Sequence, residues 1–144
     1  MSDYKYENSG SNLTKYNQSD GKTVLESTDD AASQIMGGDW RMPTEAECQE
    51  LYNNTTEEWV TNYNGTGING RKFTGSNGNS IFIPAAGGCS GGSVYYVGGR
   101  GGVWSSSLYT SSPHDAWGLY FDSGNCDVGN GSRYSGQSVR GVRK

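Results

Sequence analysis

From Phe73 to Arg143 the chain contains neither a glutamate nor a lysine, although these two residues normally supply much of a soluble surface. An ordinary segment of this length would carry roughly eight of them. The segment instead holds 16 of the 23 glycines and 13 of the 19 serines, together with five tyrosines. Two interpretations follow from these residues alone. One is turn-rich β structure, which disfavours Lys and Glu; the other is a binding surface with the Tyr, Ser and Gly of antibody paratopes.

The overall composition predicts one compact, loop-rich domain with a small aromatic core. Leu, Ile, Val and Phe total only 20 of 144 residues, but the net charge is −4 and 17 aromatic side chains offer large faces for burial. A coiled coil, a helical bundle and a transmembrane protein are excluded, since no apolar run approaches the length that spans a bilayer. The slightly acidic charge does not fit a nucleic-acid-binding protein.

Two helices are predicted in the first half of the chain. The first has Asp29 or Asp30 as its N-cap and stops at Gly37. A T-x-x-E capping box, Thr44–Glu47, opens the second helix, which runs to about Asn53.

A run of short strands follows, and helices followed by strands are an α+β pattern. Asn69-Gly70 and Asn77-Gly78 are predicted as hairpin turns, and Gly87–Gly102 as a long glycine-rich loop. The predicted extended segments are Thr23–Leu25, Trp59–Tyr63 (strand or loop), Ser80–Pro84, Val103–Ser107, Ala116–Asp122 and Ser138–Val142.

The strand Ala116–Asp122 has one face suited to a core and one that is not. Alternation places Trp117, Leu119 and Phe121 together on the first face. The second face carries Ala, Gly, Tyr and Asp, which share no hydrophobic character. The glycine there needs a bulge or a close backbone approach, or else the position is selected by a ligand rather than by the fold.

Five motifs occur in order along the chain: GGDWRMPTEAECQEL, NGTGINGRKFT, SIFIPAAG, VWSSS and GQSVRGVRK. From about Asp20 to Lys144 they resemble the Fibrobacter succinogenes major paralogous domain family, common in Bacteroides-type bacteria and their phages. The resemblance implies a C-type-lectin-like fold, with two helices packed on short antiparallel strands and long Gly-rich loops. It divides the chain into an irregular segment, residues 1–19, and a single domain, residues 20–144. The family's upstream Gly-Leu-Pro-Ser-Gly-Thr-like strand is absent, and Cys48 stands where Trp is common.

Members of this fold serve as variable proteins of diversity-generating retroelements, whose mutagenic copying alters adenines in a template. Altered asparagine codons yield Tyr, Ser, Gly, Asp, His, Arg, Ala, Thr and several apolar residues, but not Glu, Lys, Gln, Trp or Met. The resemblance therefore implies a variable region at about residues 90–135. The implied variable, ligand-binding residues are Tyr109, Ser112, His114, Asp115, Gly118, Tyr120, Asp122, Asp127, Gly129, Gly131, Ser132 and Ser135. A further stretch comprises Tyr95, Tyr96, Gly99 and Arg100.

The implied function is non-catalytic binding of a protein or glycan receptor on bacterial cells, without cofactor, nucleic acid or membrane insertion. Tyr109 and Tyr120 are the predicted aromatic anchors, and Asp122 and His114 the predicted polar selectors. The N-terminus lacks the basic and apolar regions of a signal peptide, so a tail-associated place on a phage virion is expected, with the bacterial cell surface as the alternative. A homo-oligomer stays open.

Two other functions are weighed against this one. A non-diversified bacterial surface carbohydrate-binding module is the alternative. A formylglycine-generating-type oxidase, which shares the fold, would need a reactive pair formed by Cys89 and Cys126. Three free, partly buried thiols are the first interpretation of the cysteines, and a Cys89–Cys126 disulfide is the second.

The polar residues give no sign of another chemistry. His114 and Asp115 have no accompanying nucleophile motif, so His114 is interpreted as a surface contact. Aspartates 115, 122 and 127 suggest calcium, but the sugar-binding calcium motifs of C-type lectins are absent, and metal-independent binding is expected. Trp40 and Trp104 are expected in the core. Three arginines are expected to make structural contacts: Arg41, Arg140 and Arg143.

Overall fold

The computed structural model describes residues 4–8 and 12–144. Two α-helices lie in the first half, α1 (Ala31–Met36) and α2 (Glu45–Asn54), and a 3-10 helix spans Tyr63–Gly65. The strands are β1 (Glu7–Asn8), β2 (Asn12–Leu13), β3 (Trp40–Arg41), β4 (Thr55–Val60), β5 (Gly70–Gly75), β6 (Ser80–Pro84), β7 (Gly88–Ser90), β8 (Ser93–Tyr95), β9 (Arg100–Leu108), β10 (Asp115–Asp122), β11 (Cys126–Ser132) and β12 (Val142–Arg143). This is the expected α+β architecture and is compatible with a C-type-lectin-like fold. No helix of the described part is long and apolar enough to cross a membrane.

Two three-stranded antiparallel sheets form the body of the domain. Their strand orders are β4-β5-β6 and β11-β10-β9. Arg71 of β5 joins them, because its guanidinium pairs with Glu57 of β4 and donates a 3.0 Å hydrogen bond from Nη1 to the carbonyl oxygen of Asp122 in β10. Arg71 is only 5% exposed, so its charge depends on these two partners. The end of β10 is thereby fixed to the second sheet.

The hydrophobic core lies where α2 meets the inner faces of the two sheets. Its most deeply buried members include Phe73 of β5 and Leu119 of β10, each 1% exposed. The other buried members are Cys48, Ile83, Ala85, Val103, Phe121 and Val128. Trp59 and Trp117 pack against this cluster while remaining partly exposed. A few large side chains thus fill the interior, which is how a chain so poor in aliphatic residues forms a core.

Both helix starts are where the sequence predicts them. The Asp30 carboxylate caps α1 by accepting a 2.8 Å bond from the N–H of Ser33. It also accepts from the N–H of Met42, which ties β3 to the helix. At α2 both halves of the capping box between Thr44 and Glu47 are formed. Glu47 also pairs with Arg41, which confirms the structural role expected of that arginine.

Removing the Asp30 carboxylate should destabilise the domain strongly. Asp30→Ala leaves the N–H groups of Ser33 and Met42 without an acceptor, and Asp30 is itself buried. We expect a loss of about 2–4 kcal/mol in the free energy of unfolding, measured by urea denaturation. Asp39→Ala is the matched control, since Asp39 is exposed, and should change stability by less than about 0.5 kcal/mol. Equal stability of the two variants would contradict this assignment.

The N-terminal segment is more ordered than expected, because it is fastened to Asp29. The Asp29 carboxylate accepts bonds from the hydroxyls of Tyr6 and Tyr16 and from Lys5 and Lys15. Burial disfavours its charge, but these donors outweigh burial and hold the pKa of Asp29 well below its ordinary value. The segment predicted as irregular over residues 1–19 therefore contains the paired strands β1 and β2; residues 1–3 and 9–11 lie outside the described part.

One of the two turns predicted from an Asn-Gly pair is wrong. Asn77-Gly78 does form the β5–β6 turn, with Gly78 at φ 81°. Asn69-Gly70 does not form a turn, because Gly70 opens β5, and a Cβ there would lie 2.2 Å from the carbonyl oxygen of Ile83. The chain reverses earlier, around Tyr63–Gly65. The glycine permits close strand approach rather than a turn.

The strand boundaries differ from prediction in several further places. The strand predicted at residues 59–63 is β4, which begins at Thr55. The loop predicted over Gly87–Gly102 contains the hairpin β7–β8, which turns at Gly91 and Gly92. The closing strand is shorter than predicted, because Ser138 makes only an isolated bridge with Val103. Strand β11 was not predicted, since only Val128 in CDVGNGS marks it as hydrophobic.

Candidate functional site

Predicted binding residues from two strands lie on one face of the β9–β10–β11 sheet. The register pairs Tyr120 with Asp127 and Gly118 with Gly129, and directly opposed residues share a face. The other face of β10 carries Leu119 and confirms the predicted core face. We call the first face the outer face; it consists of Arg100, Gly102, Trp104, Gly118, Tyr120, Asp122, Asp127, Gly129 and Gly131.

One end of the outer face forms the floor of an open cleft of about 520 Å³. The β7–β8 hairpin is one wall, and the segment from Ser135 to Gln137 is another. The cleft brings together the predicted residues Tyr95, Tyr96, Arg100, Tyr120, Asp122, Asp127 and Ser135. Strand pairing and loop packing thus collect side chains that are up to 40 positions apart in the sequence.

The hairpin wall presents two tyrosines to solvent. Tyr95 is 49% exposed and Tyr96 is 64% exposed. Tyr96 has a left-handed backbone, φ 60°, and its carbonyl oxygen accepts from the N–H groups of Gly99 and Arg100. The Arg100 guanidinium lies 4.4 Å from the centre of the Tyr96 ring. These aromatic faces and the stacked cation give the cleft a surface that can contact a ligand at low cost in conformational entropy.

Asp122 is held in place at the β10–β11 turn. One carboxylate oxygen accepts from the N–H groups of Gly124 and Asn125, at 2.8 and 2.9 Å. These bonds, and the charge of Arg100 on the neighbouring strand, lower the pKa of Asp122. Asp127 is exposed on the adjacent strand. The cleft therefore offers carboxylates and a guanidinium to a polar ligand.

A second group of predicted residues lies at the other end of β10, outside the cleft. Tyr109, Ser112, His114 and Asp115 belong to the connection between β9 and β10 or to its margin, and Ser132 reaches Asp115 with a 3.3 Å bond. Strand β10 separates the two ends by roughly 23 Å, at about 3.3 Å per residue. Predicted anchor Tyr109 packs edge-on against Trp117, with ring centres 5.1 Å apart. The predicted anchor Tyr109 therefore lies outside the cleft that Tyr120 lines.

Gly118 is a correction to the predicted set. The residue is buried, and a Cβ built on it would lie 2.9 Å from the carbonyl oxygen of Val103 on β9. The register between β9 and β10 shifts between Ala116 and Gly118. Close backbone approach at this irregularity requires the glycine, so Gly118 is not free to vary as a ligand-selected position would be.

The two glycines paired across β10 and β11 should differ in their tolerance of a side chain. Gly118→Ala forces the added methyl against backbone and should cost about 1–3 kcal/mol. Gly129→Ala is the matched control, because the nearest atom to its Cβ is Tyr120 Cδ2 at 3.8 Å and its φ is not left-handed. It should change the free energy of unfolding by less than about 0.5 kcal/mol. Thermal and urea denaturation measure both, and equal tolerance would refute the assignment of Gly118.

The three cysteines are free thiols, as first expected. Burial raises the pKa of both Cys48 and Cys126 to about 11, so at neutral pH Cys126 carries little reactive thiolate. Within residues 4–8 and 12–144, no group of three or more His, Cys, Asp or Glu side chains is placed to hold a metal ion.

Eight lining residues of the cleft lie outside the predicted binding set: Gly87, Gly88, Cys89, Ser90, Gly101, Phe121, Asn125 and Gln137. Cys89 belongs to β7, Asn125 to the turn after Asp122, and Gln137 to the segment crossing the edge of β9. The Asx-type turn D-S-G-N could have indicated Asn125. Gln137 lies in GQSVRGVRK, which served only as a family motif. No local signal links that motif to the cleft, because its position depends on the Val103–Ser138 bridge.

One family model, described as the Lcl C-terminal domain, matches residues 6–143. The matched span includes the outer face, both walls of the cleft and, apart from Lys5, the residues bonded to the Asp29 carboxylate. No curated protein matches the chain, and no solved structure matches it either.

Proposed function

Because the chain belongs to the Lcl C-terminal domain family, we propose that it is a non-catalytic binding domain whose outer face and adjoining loops contact the ligand. We further propose that a diversity-generating retroelement varies the side chains of this surface. The receptor is a protein or glycan of a bacterial cell. The domain acts on a phage virion, or alternatively on a bacterial surface. The absence of an enzymatic activity stays a prediction.

The observation that carries this proposal is the alternation of the predicted residues along two paired strands. The sequence criterion was whether each residue could arise from an altered asparagine codon. Strand β11 was not predicted, so nothing in that criterion required Asp127, Gly129 and Gly131 to alternate along a strand. They do so, and they share a face with Tyr120 and Asp122 of β10, whereas the predicted pair Asp115 and Ser132, at the other end of the two strands, lies on the opposite face. A mutational process retained by selection for binding is expected to leave this pattern.

The scaffold permits such variation at small energetic cost. The inner face of the same strands holds Leu119, Phe121 and Val128 in the core, while most outer side chains have solvent beside them. Substitutions of exposed side chains usually change stability by less than about 0.5 kcal/mol. Two of the paired strand positions are exceptions, because a Cβ on Gly118 would lie 2.9 Å from the carbonyl oxygen of Val103 and one on Gly131 would lie 2.6 Å from the Tyr120 hydroxyl oxygen. Rigid strands therefore hold a surface whose chemistry is adjustable.

The side chains now present are suited to contact with another macromolecule. Val94 and Val97, which flank Tyr95 and Tyr96 in the sequence, are 64% and 70% exposed. Four consecutive exposed apolar or aromatic side chains beside Arg100 and Asp122 resemble a hot spot with a polar rim. A carbohydrate could also stack on the tyrosines, which is the specific reason to retain the non-diversified carbohydrate-binding module as the second candidate.

Replacing cleft side chains with asparagine tests whether they serve binding and are not needed for folding. The outer variant carries Tyr95→Asn, Tyr96→Asn, Asp122→Asn and Asp127→Asn, and should unfold cooperatively near the wild-type temperature, because these side chains lie on the cleft surface. Its adhesion to a panel of Bacteroides-type cells, measured by flow cytometry with labelled domain, should change at least tenfold.

Two controls make this experiment decisive. Glu58→Asn with Lys72→Asn removes an exposed ion pair on the other sheet and should leave adhesion unchanged. Leu119→Asn places an amide in the core and should cost several kcal/mol. The proposed surface is wrong if the outer variant unfolds like Leu119→Asn, or if it adheres with the wild-type profile.

A further inference from the structure

Tyr120 lies in a slot that glycines create on the outer face. A Cβ built on Gly131 would be 2.6 Å from the Tyr120 hydroxyl oxygen, and one on Gly118 would be 3.1 Å from it. A Cβ on Gly102 would be 3.2 Å from ring atom Cδ1, and one on Gly129 would be 3.8 Å from Cδ2. Glycines of all three strands therefore surround the ring, and the floor beneath the phenol consists of backbone.

The walls of the slot do not depend on Tyr120. Trp104 meets the ring edge-on, with centroids 6.2 Å apart and planes at 84°. The indole Nε1 donates to the carbonyl oxygen of Ser135, and the backbone N–H of Trp104 donates to Ser138. The Gln137 amide lies beside Gly102 on another side. These contacts fix the walls through other partners, so removing the phenol leaves a shaped space.

The slot accepts the ring but offers nothing to its hydroxyl. The Tyr120 hydroxyl oxygen is inaccessible to solvent and has no hydrogen-bond partner among the described residues. Burial raises the pKa of Tyr120 to about 12, so the phenol remains neutral. A buried hydroxyl without a partner is unfavourable. The shape of the slot therefore selects a flat six-membered ring and not a phenol in particular.

We propose that Tyr120 determines the ligand class of the cleft by filling, from within the chain, a slot that otherwise receives an aromatic ring of the ligand. The inference rests on the proposed function, since it treats the outer face as the binding surface. Tyr120 also lines the cleft, so a small residue at position 120 opens the slot directly into it. Aromatic side chains of a protein receptor are the ligand class that the opened slot fits, because flat faces and an edge-on indole favour aromatic rings.

The sizes of the residues at neighbouring outer positions depend on one another. A large ring at position 120 requires a small residue at position 131, because a Cβ there already approaches the hydroxyl to 2.6 Å. A small residue at position 120 removes that restriction. Size at position 120 is therefore coupled to size at its neighbours, and the outer face does not vary as a set of independent positions.

The test is chemical rescue of Tyr120→Ala by p-cresol, a free molecule that carries the phenol ring the substitution removes. p-Cresol should raise the melting temperature of Tyr120→Ala with a saturable dose response. At ten times its dissociation constant, the ratio of folded to unfolded protein should rise about 11-fold. Wild type, in which the slot is filled, should show no saturable shift. If Tyr120→Ala is unfolded alone, p-cresol should restore its cooperative melting transition.

Matched variants identify the site of rescue. Tyr120→Ala with Gly129→Val fills the slot from the neighbouring strand and should not respond to p-cresol. Benzene should rescue Tyr120→Ala nearly as well as p-cresol, because the hydroxyl has no partner. The proposal is overturned if Tyr120→Ala neither binds nor refolds with p-cresol, or if the Gly129→Val double variant responds equally. Such a result would contradict only the proposed role of Tyr120 in the slot. The proposed binding function is tested separately, by the adhesion of the outer asparagine variant.

Discussion

The antiparallel pairing of β9, β10 and β11 is the constraint on which the rest of this domain depends. Alternation along a paired strand commits Leu119 and Phe121 to the core and, with equal necessity, places Tyr120 and Asp122 on the outer face. Full burial of side chains such as these contributes about 1.5–3 kcal/mol each. A slip of one residue would exchange the two faces, so the energy that stabilises the fold also fixes which residues lie on the outer face.

Several elements hold this sheet from its inner side or from its ends. α2 packs on the inner side, and Arg71 fastens the end of β10 to the second sheet through the carbonyl oxygen of Asp122. The Asp29 carboxylate holds the N-terminal segment by accepting hydrogen bonds from its side chains, and the Asp30 carboxylate connects α1 to the end of β3. Most Glu and Lys residues lie in these supporting regions, where they keep the surface soluble and form ion pairs. The segment from Phe73 to Arg143 therefore folds without any Glu or Lys.

Local signals were sufficient for part of this structure. The caps at Asp30 and Thr44 were predictable because a helix start is recognised by nearby side chains. The core face of β10 followed from its alternation. Strand β11 could not be recognised, since its backbone pairs with β10 while its sequence offers little hydrophobic pattern. Gly70 and Gly118 were misread because a glycine can serve a turn, a close approach or a ligand, and only tertiary contacts distinguish these uses.

The candidate site was predictable as a set of residues but not as a shape. The composition and the resemblance indicated Tyr95, Tyr120 and Asp127, yet their meeting in one cleft depends on the β7–β8 hairpin and on the β11 register. The separate position of Tyr109 at the other end of β10 likewise depends on strand length. A sequence pattern identifies which positions are free of the core, and the sheet decides which of them can touch the same ligand.

Deep sequencing of this gene in a growing population of its source measures whether the outer face is diversified. We expect substitutions to accumulate in the codons of outer-face and adjoining loop residues, including positions 120, 122, 127 and 129, at bases that correspond to adenines of the template. Codons 117, 119, 121 and 128, whose side chains face inward, should remain unchanged. Substitutions spread evenly over both faces, or a gene without localised variation, would contradict diversification of the outer face.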